Sequence, residues 1–260
     1  MEWIAGKNAV LEALRAGKRK PHTLYLSRNV EDESTREILN LARKLQLTLK
    51  EANAREIGEK SGVEAHQGVA LEISPFVYAD LSEVVSTSLV SPKGSFLLLL
   101  DEIQDPQNVG ALIRTAHLTG AKGMIVLKHR SASITPTVVK ASAGATEYLP
   151  IVQEVNLVNC INLLKDKGFD VIGADGESDQ NIYQYSCQWP VALVLGSEGK
   201  GLRRLVRESC NSLISLPMMG PVGSYNVSVA GALFMGEILR QKMALTDLNP
   251  VVAPSICQGR

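Results

Sequence analysis

Short, almost uninterrupted apolar runs recur along the chain from residue 95 onwards. They are FLLLLD (96–101), GMIVL (123–127), DVIGA (170–174), VALVLG (191–196) and SLISLP (212–217). Most of them are separated by segments long enough for a helix. Strands that are apolar on both faces and alternate with helices are typical of a parallel sheet covered by helices on both sides. The pattern therefore predicts a mostly parallel α/β domain, in which ligands bind beyond the carboxyl ends of the strands.

The first 74 residues predict a smaller α/β unit. GKNAVLEALRAGKRK has apolar residues at helical spacing, and Asn8 is placed to cap that helix. The other expected elements are a strand over 23–27, an amphipathic helix over about 32–46 and a closing strand over 68–74.

A stretch with weak periodicity separates the two units. It is rich in proline and serine, which indicates a linker or loosely packed connector. We therefore divide the chain into a unit over 1–74, a linker over 75–93, the larger domain over 94–246 and a C-terminal tail over 247–260.

Composition and charge exclude several classes of protein. Hydrophobic residues make up 45% of the chain and charged residues 21%, as in ordinary soluble proteins. The 27 basic residues balance the 27 acidic ones, so only a local patch could attract a polyanion. We expect no membrane span, no signal peptide and no metal site, because long apolar runs, CxxC motifs and histidine clusters are missing. The four scattered cysteines favour reduced thiols in a cytoplasm.

One glycine-rich turn, in VALVLGSEGKGL (191–202), has the look of a phosphate-binding loop. That motif needs a glycine where Val194 stands and a serine or threonine where Gly201 stands. Glu198 would also place a negative charge against the phosphates. The turn is therefore expected to bind something other than a nucleotide phosphate.

Two further loops carry unusual residues. In DEIQDPQNVGALIR (101–114), Asn108 could simply cap a helix, with Arg114 as a solvated residue of that helix. In LPMMGPVGSYNVSVAGALFMGEIL (216–239), Ser224 or Asn226 could cap the helix that follows. That helix is apolar nearly all round. Its small residues recur every four positions, which predicts close packing against another element; they are Ser228, Ala232 and Gly236.

Taken together and in this order, DPQNVGALIRTA, LVLGSEGKGL and LPMMGPVGSYNVSVAGALFMGEIL resemble the SpoU/TrmH family of RNA ribose 2′-O-methyltransferases, in the SPOUT superfamily. The first 74 residues, with IAGKNAVLEAL and AHQGVALEI, resemble the small RNA-binding domain of its ribosomal-RNA branch, close to the 23S rRNA guanosine-2′-O-methyltransferase type. The resemblance implies a C-terminal trefoil knot, which is an exception among folds. It also implies S-adenosyl-L-methionine (SAM) as cofactor, ribosomal RNA as partner, and a homodimer joined through the helix over 227–242.

The resemblance further assigns site residues. The cofactor contacts are Gly196, Leu216 and Tyr225, with the loop 174–176 as a further contact. The catalytic set is Asn108, Arg114, Glu198, Ser224 and Asn226. Arg114 is closest to the role of general base, but a guanidinium is almost always protonated. We therefore interpret Arg114 as a contact for an RNA phosphate or the developing alkoxide, with the proton leaving through a neighbour or water.

A basic cluster in the first unit is the candidate RNA-binding site. Its members are Arg15, Lys18 and Arg19, with Lys20 and Arg28 nearby. The alternative is a solvated helix end, and His66 is a weaker candidate for an RNA contact. Two other functions remain open, namely a tRNA 2′-O-methyltransferase and a non-catalytic RNA-binding protein of ribosome assembly.

Overall fold

The computed structural model of the protein describes residues 1–28 and 32–245. The C-terminal tail expected over 247–260 lies outside the described residues.

The first unit is a four-stranded sheet with three helices. Its elements are β1 (Glu2–Ala5), α1 (Lys7–Ala16), β2 (Pro21–Leu26), α2 (Glu33–Lys44), β3 (Thr48–Glu51), α3 (Ala54–Ser61) and β4 (Val69–Ile73). The strand order is β1-β4-β2-β3, with β2 and β3 parallel and the other pairs antiparallel. The expected strands and helices of this unit are present, while β1, β3 and α3 were not predicted. The capping role of Asn8 is wrong, because α1 begins after Gly6 without a side-chain cap.

The second unit is built on a six-stranded, entirely parallel sheet, which confirms the predicted fold class. Its order is β10-β8-β9-β5-β6-β7. The strands are β5 (Phe96–Asp101), β6 (Gly123–Leu127), β7 (Ile151–Glu154), β8 (Asp170–Ala174), β9 (Val191–Gly196) and β10 (Ser212–Ile214). The helices are α4 (Leu81–Val90), α5 (Pro106–Leu118), α6 (Pro136–Ala141), α7 (Leu157–Asp166), α8 (Arg204–Ser209) and α9 (Val227–Leu245), with a short 3-10 helix at Ala145–Glu147.

The central strand β5 shows why the apolar runs form this sheet. All six of its residues are buried. Leu98 and Leu100 belong to the apolar core on one face, and Leu97 and Leu99 belong to the core on the other. Because successive side chains of a strand point to opposite faces, a strand covered on both sides must be apolar throughout.

The linker predicted over 75–93 contains the packed helix α4, so the expectation of a loose connector is wrong for that stretch. Asp80 caps the helix by accepting from the backbone N–H of Ser82 at 2.8 Å. Val84 and Val85 are buried in the core that contains Leu97. The apolar face of this helix is short and interleaved with serines, which conceals its periodicity in the sequence.

Close packing of α9 depends on a different residue from those predicted. A Cβ atom added to Gly231 would lie 2.3 Å from Cδ2 of Leu112 on α5, so only glycine allows this approach. A Cβ atom added to Gly236 would meet nothing within 4 Å. Gly231 therefore seats α9 against α5, and the face that carries Gly236 is open.

Candidate active site

A cavity of about 420 Å³ lies beyond the carboxyl ends of β8, β9 and β10, where ligands bind in parallel sheets. Its walls come from three loops and the first turns of α9. The expected cofactor residues Gly196, Leu216 and Tyr225 all line it, and so do the residues of the loop 174–176.

The chemistry of the cavity wall is partly acidic and partly apolar. Asp175 and Glu177 follow β8, and Glu198 follows β9. Leu195 and Phe234 supply apolar surface. Asp175 belongs to the expected loop 174–176, whereas Glu177 and Phe234 were not predicted. Lys200 and Arg207 line the same cavity, and Arg207 pairs with Asp175. Such a wall suits a ligand that has apolar parts and charges of both signs.

Gly196 is required by its own loop. A Cβ atom added there would lie 2.2 Å from the carbonyl carbon of Gly201 and 2.4 Å from the backbone nitrogen of Leu202. The loop folds back on itself, since the backbone N–H of Gly201 donates to the carbonyl of Ser197 at 2.9 Å. The loop backbone therefore fills the space beside Gly196, and a side chain at this position would force the loop apart.

The far end of this loop is fastened to β5. Asp101 is fully buried at the end of β5 and accepts from the backbone N–H of Arg203 at 2.9 Å and from its Nε at 2.7 Å. Charge-assisted hydrogen bonds of this kind are among the stronger ones in proteins. The loop after β9 is thus held at both ends.

Three of the five residues expected to be catalytic meet at the edge of the cavity. Asn226 Nδ2 donates to Oδ1 of Asn108 at 3.0 Å and also to Oε1 of Glu198. Nδ2 of Asn108 lies 3.4 Å from the same carboxylate oxygen. We name Asn108, Glu198 and Asn226 the amide–carboxylate cluster. It joins the first turn of α5, the loop after β9 and the residue before α9, which are far apart in the sequence.

The alternative role of these asparagines as helix caps is wrong for Asn108 and correct for Asn226. Asn108 does not cap α5, because Asp105 does so by accepting from the backbone N–H of Gln107 at 3.0 Å. Asn226 does cap α9, since its Oδ1 accepts from the backbone N–H of Ser228 at 3.0 Å. Glu198 also accepts from the first backbone N–H of α9, that of Val227, at 3.1 Å. The cluster therefore fixes the start of α9, and its Glu198 also lines the cavity.

We expect Glu198→Ala to lower the free energy of unfolding by about 1–2 kcal/mol, because it leaves the N–H groups of Val227 and Asn226 without this acceptor. Glu198→Gln keeps an acceptor oxygen and should lose clearly less. Urea denaturation followed by circular dichroism measures both. Glu177→Ala is the matched control, since its carboxylate is exposed and lies 3.7 Å from Arg207. Equal stability of the Ala variant and the wild type would contradict the structural role of Glu198.

The other two residues of the expected catalytic set, Ser224 and Arg114, are not part of the amide–carboxylate cluster. Ser224 lines the cavity and is exposed. Arg114 is exposed on α5, about 9 Å along the helix axis from Asn108, and it is not part of the cavity wall. No residue among those described forms a hydrogen bond or ion pair with it. Its guanidinium is thus available to a phosphate, and its catalytic role stays a prediction.

Arg19 is not available to RNA, so its assignment as an RNA-binding residue is wrong. Its side chain is buried, and its guanidinium donates to the carbonyl oxygen of Ser74 at 2.8 Å and to Glu2 at 2.7 Å. It also contacts Glu147 of the second unit at 3.3 Å. Burial raises the pKa of the Glu147 carboxyl. Arg19 fastens the two units together.

The other residues of the basic cluster, Arg15 and Lys18, also have partners within the protein. Arg15 forms ion pairs with Glu12 and Glu37, at 2.6 Å each. Lys18 lies 3.5 Å from the carbonyl oxygen of Tyr148, so its role in RNA binding stays a prediction.

The further candidates for an RNA contact, Arg28 and His66, also have partners within the protein. Arg28 pairs with Glu51. His66 is buried, and its Nδ1 accepts from the backbone N–H of Gly68 at 3.0 Å, which makes it a structural residue.

Thiol and metal chemistry find no support in the part of the chain that the structure describes. Burial raises the pKa of Cys160, Cys187 and Cys210 to about 12 each, so these thiols stay protonated. Among residues 1–28 and 32–245, no group of three or more His, Cys, Asp or Glu side chains could hold a metal ion. Within the same ranges, no helix has the length and apolar character needed to cross a membrane.

Two family models match the chain. The model of the SpoU rRNA Methylase family matches residues 95–236, and the model described as RNA 2′-O ribose methyltransferase substrate binding matches residues 3–79. In Bacillus subtilis (strain 168), YacO, described as a TrmH family tRNA/rRNA methyltransferase, is 36% identical over 250 residues, which is 96% of this chain and 97% of YacO.

Solved structures share the fold. The SpoU methyltransferase AviRb from Streptomyces viridochromogenes, in complex with the cofactor AdoMet, matches with a TM-score of 0.76 and 23% identity, over 93% of this chain and 90% of that one. The AdoMet-bound rRNA methyltransferase from Sinorhizobium meliloti matches with a TM-score of 0.74 and 23% identity, over 92% of this chain and 87% of that one.

Proposed function

Since the chain belongs to the SpoU/TrmH family of RNA methyltransferases, we propose that it transfers the methyl group of SAM to the ribose 2′-OH of a nucleotide in 23S rRNA, a guanosine. The observation that carries the proposal is the cavity at the carboxyl ends of the strands, with the amide–carboxylate cluster at its edge.

The residues of the cavity fit SAM. Its ammonium and sulfonium groups are cationic, and Glu177 and Glu198 supply carboxylates. Its carboxylate is anionic, and Lys200 supplies a cation, while Asp175 is paired with Arg207. Its adenine ring is largely apolar, and Leu195, Leu216 and Phe234 would pack against it; backbone groups of the glycine-rich loops would bind its polar edges. When bound, SAM supplies an electrophilic methyl group. AviRb and the Sinorhizobium enzyme were both solved with this cofactor, which supports the assignment.

The chain's own part in the reaction is mainly positioning. Methyl transfer to a hydroxyl is an in-line displacement, so holding the two reactants in line supplies much of the rate. Asn108 and Asn226 fix the loops that face the ribose, and Ser224 orients it. Arg114 binds an RNA phosphate or stabilises the developing alkoxide, and the proton leaves through a neighbour or water.

Ribosomal RNA is favoured as the substrate by the first unit. Residues 3–79 match the substrate-binding model, and the Sinorhizobium rRNA methyltransferase is similar over both units. The name of YacO includes tRNA as well, so a tRNA substrate is the alternative. A non-catalytic assembly factor is disfavoured, because such a protein has no need of a cavity whose residues fit a methyl donor.

The test is methyl transfer in vitro with SAM that carries a labelled methyl group. Purified 23S rRNA and total tRNA from a strain that lacks the gene are offered separately. We expect label in the rRNA, at one nucleotide whose 3′ bond resists alkaline cleavage. Label in tRNA alone would replace the substrate, and label in neither, with no SAM binding in calorimetry, would refute the function.

Two features implied by family resemblance belong to the same proposal. The first is the trefoil knot in the C-terminal part of the second unit. The second is the division of the chain into an RNA-binding unit over 1–74 and a catalytic domain over 94–246.

We also propose a homodimer joined through α9. This helix leaves an apolar face open, on which Val229 is 48% exposed and Leu233 and Met243 are 37% exposed each. Gly236 lies on the same face and has open space beside it. An isologous pairing of two such faces would bury them and give the commonest closed assembly.

We expect Leu233→Arg to convert the dimer into monomers or aggregates with poor activity, because the charge would be buried at the interface. Light scattering at micromolar concentration measures the mass, which should be twice that of the chain for the wild type. Leu163→Arg on α7 is the control, since Leu163 is 38% exposed on another surface. A wild-type protein that is monomeric and fully active would remove this proposal.

A further inference from the structure

An aromatic and basic surface lies on one face of the sheet of the first unit. The strand register places Tyr25 opposite both Ala70 of β4 and Lys50 of β3, and Trp3 opposite Glu72, two residues further along β4. Residues directly opposite each other in a sheet share a face, and so do residues two apart in one strand. Trp3, Tyr25 and Lys50 therefore share one face, which α3 partly covers. The other face packs against α1 and α2.

The two rings and two ammonium groups are in contact. The ring centroids of Trp3 and Tyr25 are 5.1 Å apart, with an angle of 55° between the planes. Nζ of Lys60, from α3, lies 5.9 Å from the Trp3 centroid and 5.6 Å from that of Tyr25. Nζ of Lys50 lies 5.6 Å from the Tyr25 centroid. We name Trp3, Tyr25, Lys50 and Lys60 the aromatic–lysine surface. Tyr25 is buried within it, and Trp3 is the half-buried ring that a ligand can reach.

The lysines of this surface are not neutralised by carboxylates. Within the described ranges, neither Lys50 nor Lys60 forms an ion pair, and both are exposed. The acidic neighbours Glu51 and Glu59 are paired with Arg28 and Arg55. Glu72 is the one carboxylate that the register places on this face. The positive charges of Lys50 and Lys60 thus stay available to a ligand, whereas Arg15 and Arg19 are paired with carboxylates.

The edge of the sheet beside Lys50 is open. All four residues of β3 are exposed, and β3 is the last strand of its sheet. An extended chain can therefore approach Lys50 from this edge without rearrangement of the fold, and it would cross the face of the sheet to reach Trp3 on β1.

An ordinary role for the lysines is to cover aromatic surface with their alkyl stems. That arrangement is easily displaced, because an exposed cation–π contact stabilises a protein less than a nucleobase stacked on an aromatic side chain does. RNA sequences are mostly read in unpaired segments whose bases stack on aromatic residues while cations contact the phosphates. The aromatic–lysine surface offers both kinds of contact, since Nζ of Lys60 lies 5.9 Å from the Trp3 centroid.

We propose that the aromatic–lysine surface binds an unpaired segment of the RNA substrate, with a base stacked on Trp3 and flanking phosphates bound by Lys50 and Lys60. The inference rests on the proposed function, since it takes RNA to be the substrate. It moves the RNA contact of the first unit from the cluster around Arg19 to the face of the sheet that α3 partly covers.

The test measures binding of the full chain to a labelled single-stranded rRNA fragment by fluorescence anisotropy at several salt concentrations. The double variant Lys50→Gln, Lys60→Gln should reduce the slope of log Kd against log salt concentration by about 1.4, since each phosphate contact on a single strand contributes about 0.7. The double variant Lys44→Gln, Lys167→Gln is the control, because both lysines are exposed on other surfaces.

Trp3→Leu should raise Kd by about tenfold, because leucine fills space but cannot stack, and Trp3→Phe should bind nearly as the wild type does. Thermal unfolding and SAM affinity should stay unchanged in folded variants. If Trp3→Leu fails to fold, the double variant Lys50→Gln, Lys60→Gln still tests the inference. Wild-type Kd and salt slope in the lysine pair would overturn the inference while RNA methylation by the wild type continued. A wild type that neither binds nor methylates RNA would instead overturn the proposed function.

Discussion

Replacing Arg114 by alanine is expected to lower methyl transfer to RNA by about 100-fold or more, the scale of a lost charge-stabilising group. The side chain is exposed on α5 and unpaired among the described residues, so its loss should leave the fold intact. SAM affinity should also stay unchanged, because Arg114 is outside the cavity wall. Single-turnover methylation measures the first effect and calorimetry the second.

Two companion variants sharpen this result. Arg114→Lys keeps the charge but loses the planar fork that binds phosphate, so it should recover part of the activity. Lys167→Ala removes an exposed cation elsewhere in the catalytic domain and should change nothing. An Arg114→Ala enzyme with wild-type turnover would refute the role of Arg114.

Gly196→Val is expected to abolish SAM binding. An added Cβ atom would lie 2.2 Å from the carbonyl carbon of Gly201, a separation that real Cβ atoms do not show, so the loop after β9 must open. The wall formed by Ser197 and Glu198 would move with it. Calorimetry should detect no binding, whereas circular dichroism should show that the sheet persists.

Two glycine controls separate loop distortion from loss of ligand space. A Cβ atom added to Gly220 would meet nothing within 4 Å, and Gly220 is not part of the cavity wall. The SAM affinity of Gly220→Ala should therefore equal that of the wild type. Gly176→Ala also has open space but lines the cavity, so it should weaken SAM only if the cofactor occupies that corner. Unchanged affinity in Gly196→Val would remove the proposed cofactor site.

The parallel sheet could be predicted from the sequence because burial on both faces forces a strand to be apolar throughout. The run FLLLLD is such a strand, and all of its residues are buried. β7 was missed because its second half, Gln153 and Glu154, is polar and half-buried at the edge of the sheet. α4 was missed because its buried face is only one turn wide.

The site was predictable only in part, because its residues come together through the fold. Asn108 has the sequence environment of a helix cap, and only the structure shows that Asp105 takes this role and frees Asn108 to contact Glu198. Arg19 has the sequence environment of a surface cation. Its burial depends on Glu147, which lies 128 residues away in the sequence. No local pattern contains that information.

The central claim is that this chain methylates a ribose in RNA. It is tested most directly by mapping ribose methylation across total RNA from cells with the gene, without it, and without it but carrying the wild-type or the Arg114→Ala gene. We expect one guanosine of 23S rRNA to lose its 2′-O-methyl group on deletion, to regain it with the wild-type gene, and to remain unmethylated with Arg114→Ala. Identical ribose methylation of every rRNA and tRNA position with and without the gene would contradict the account.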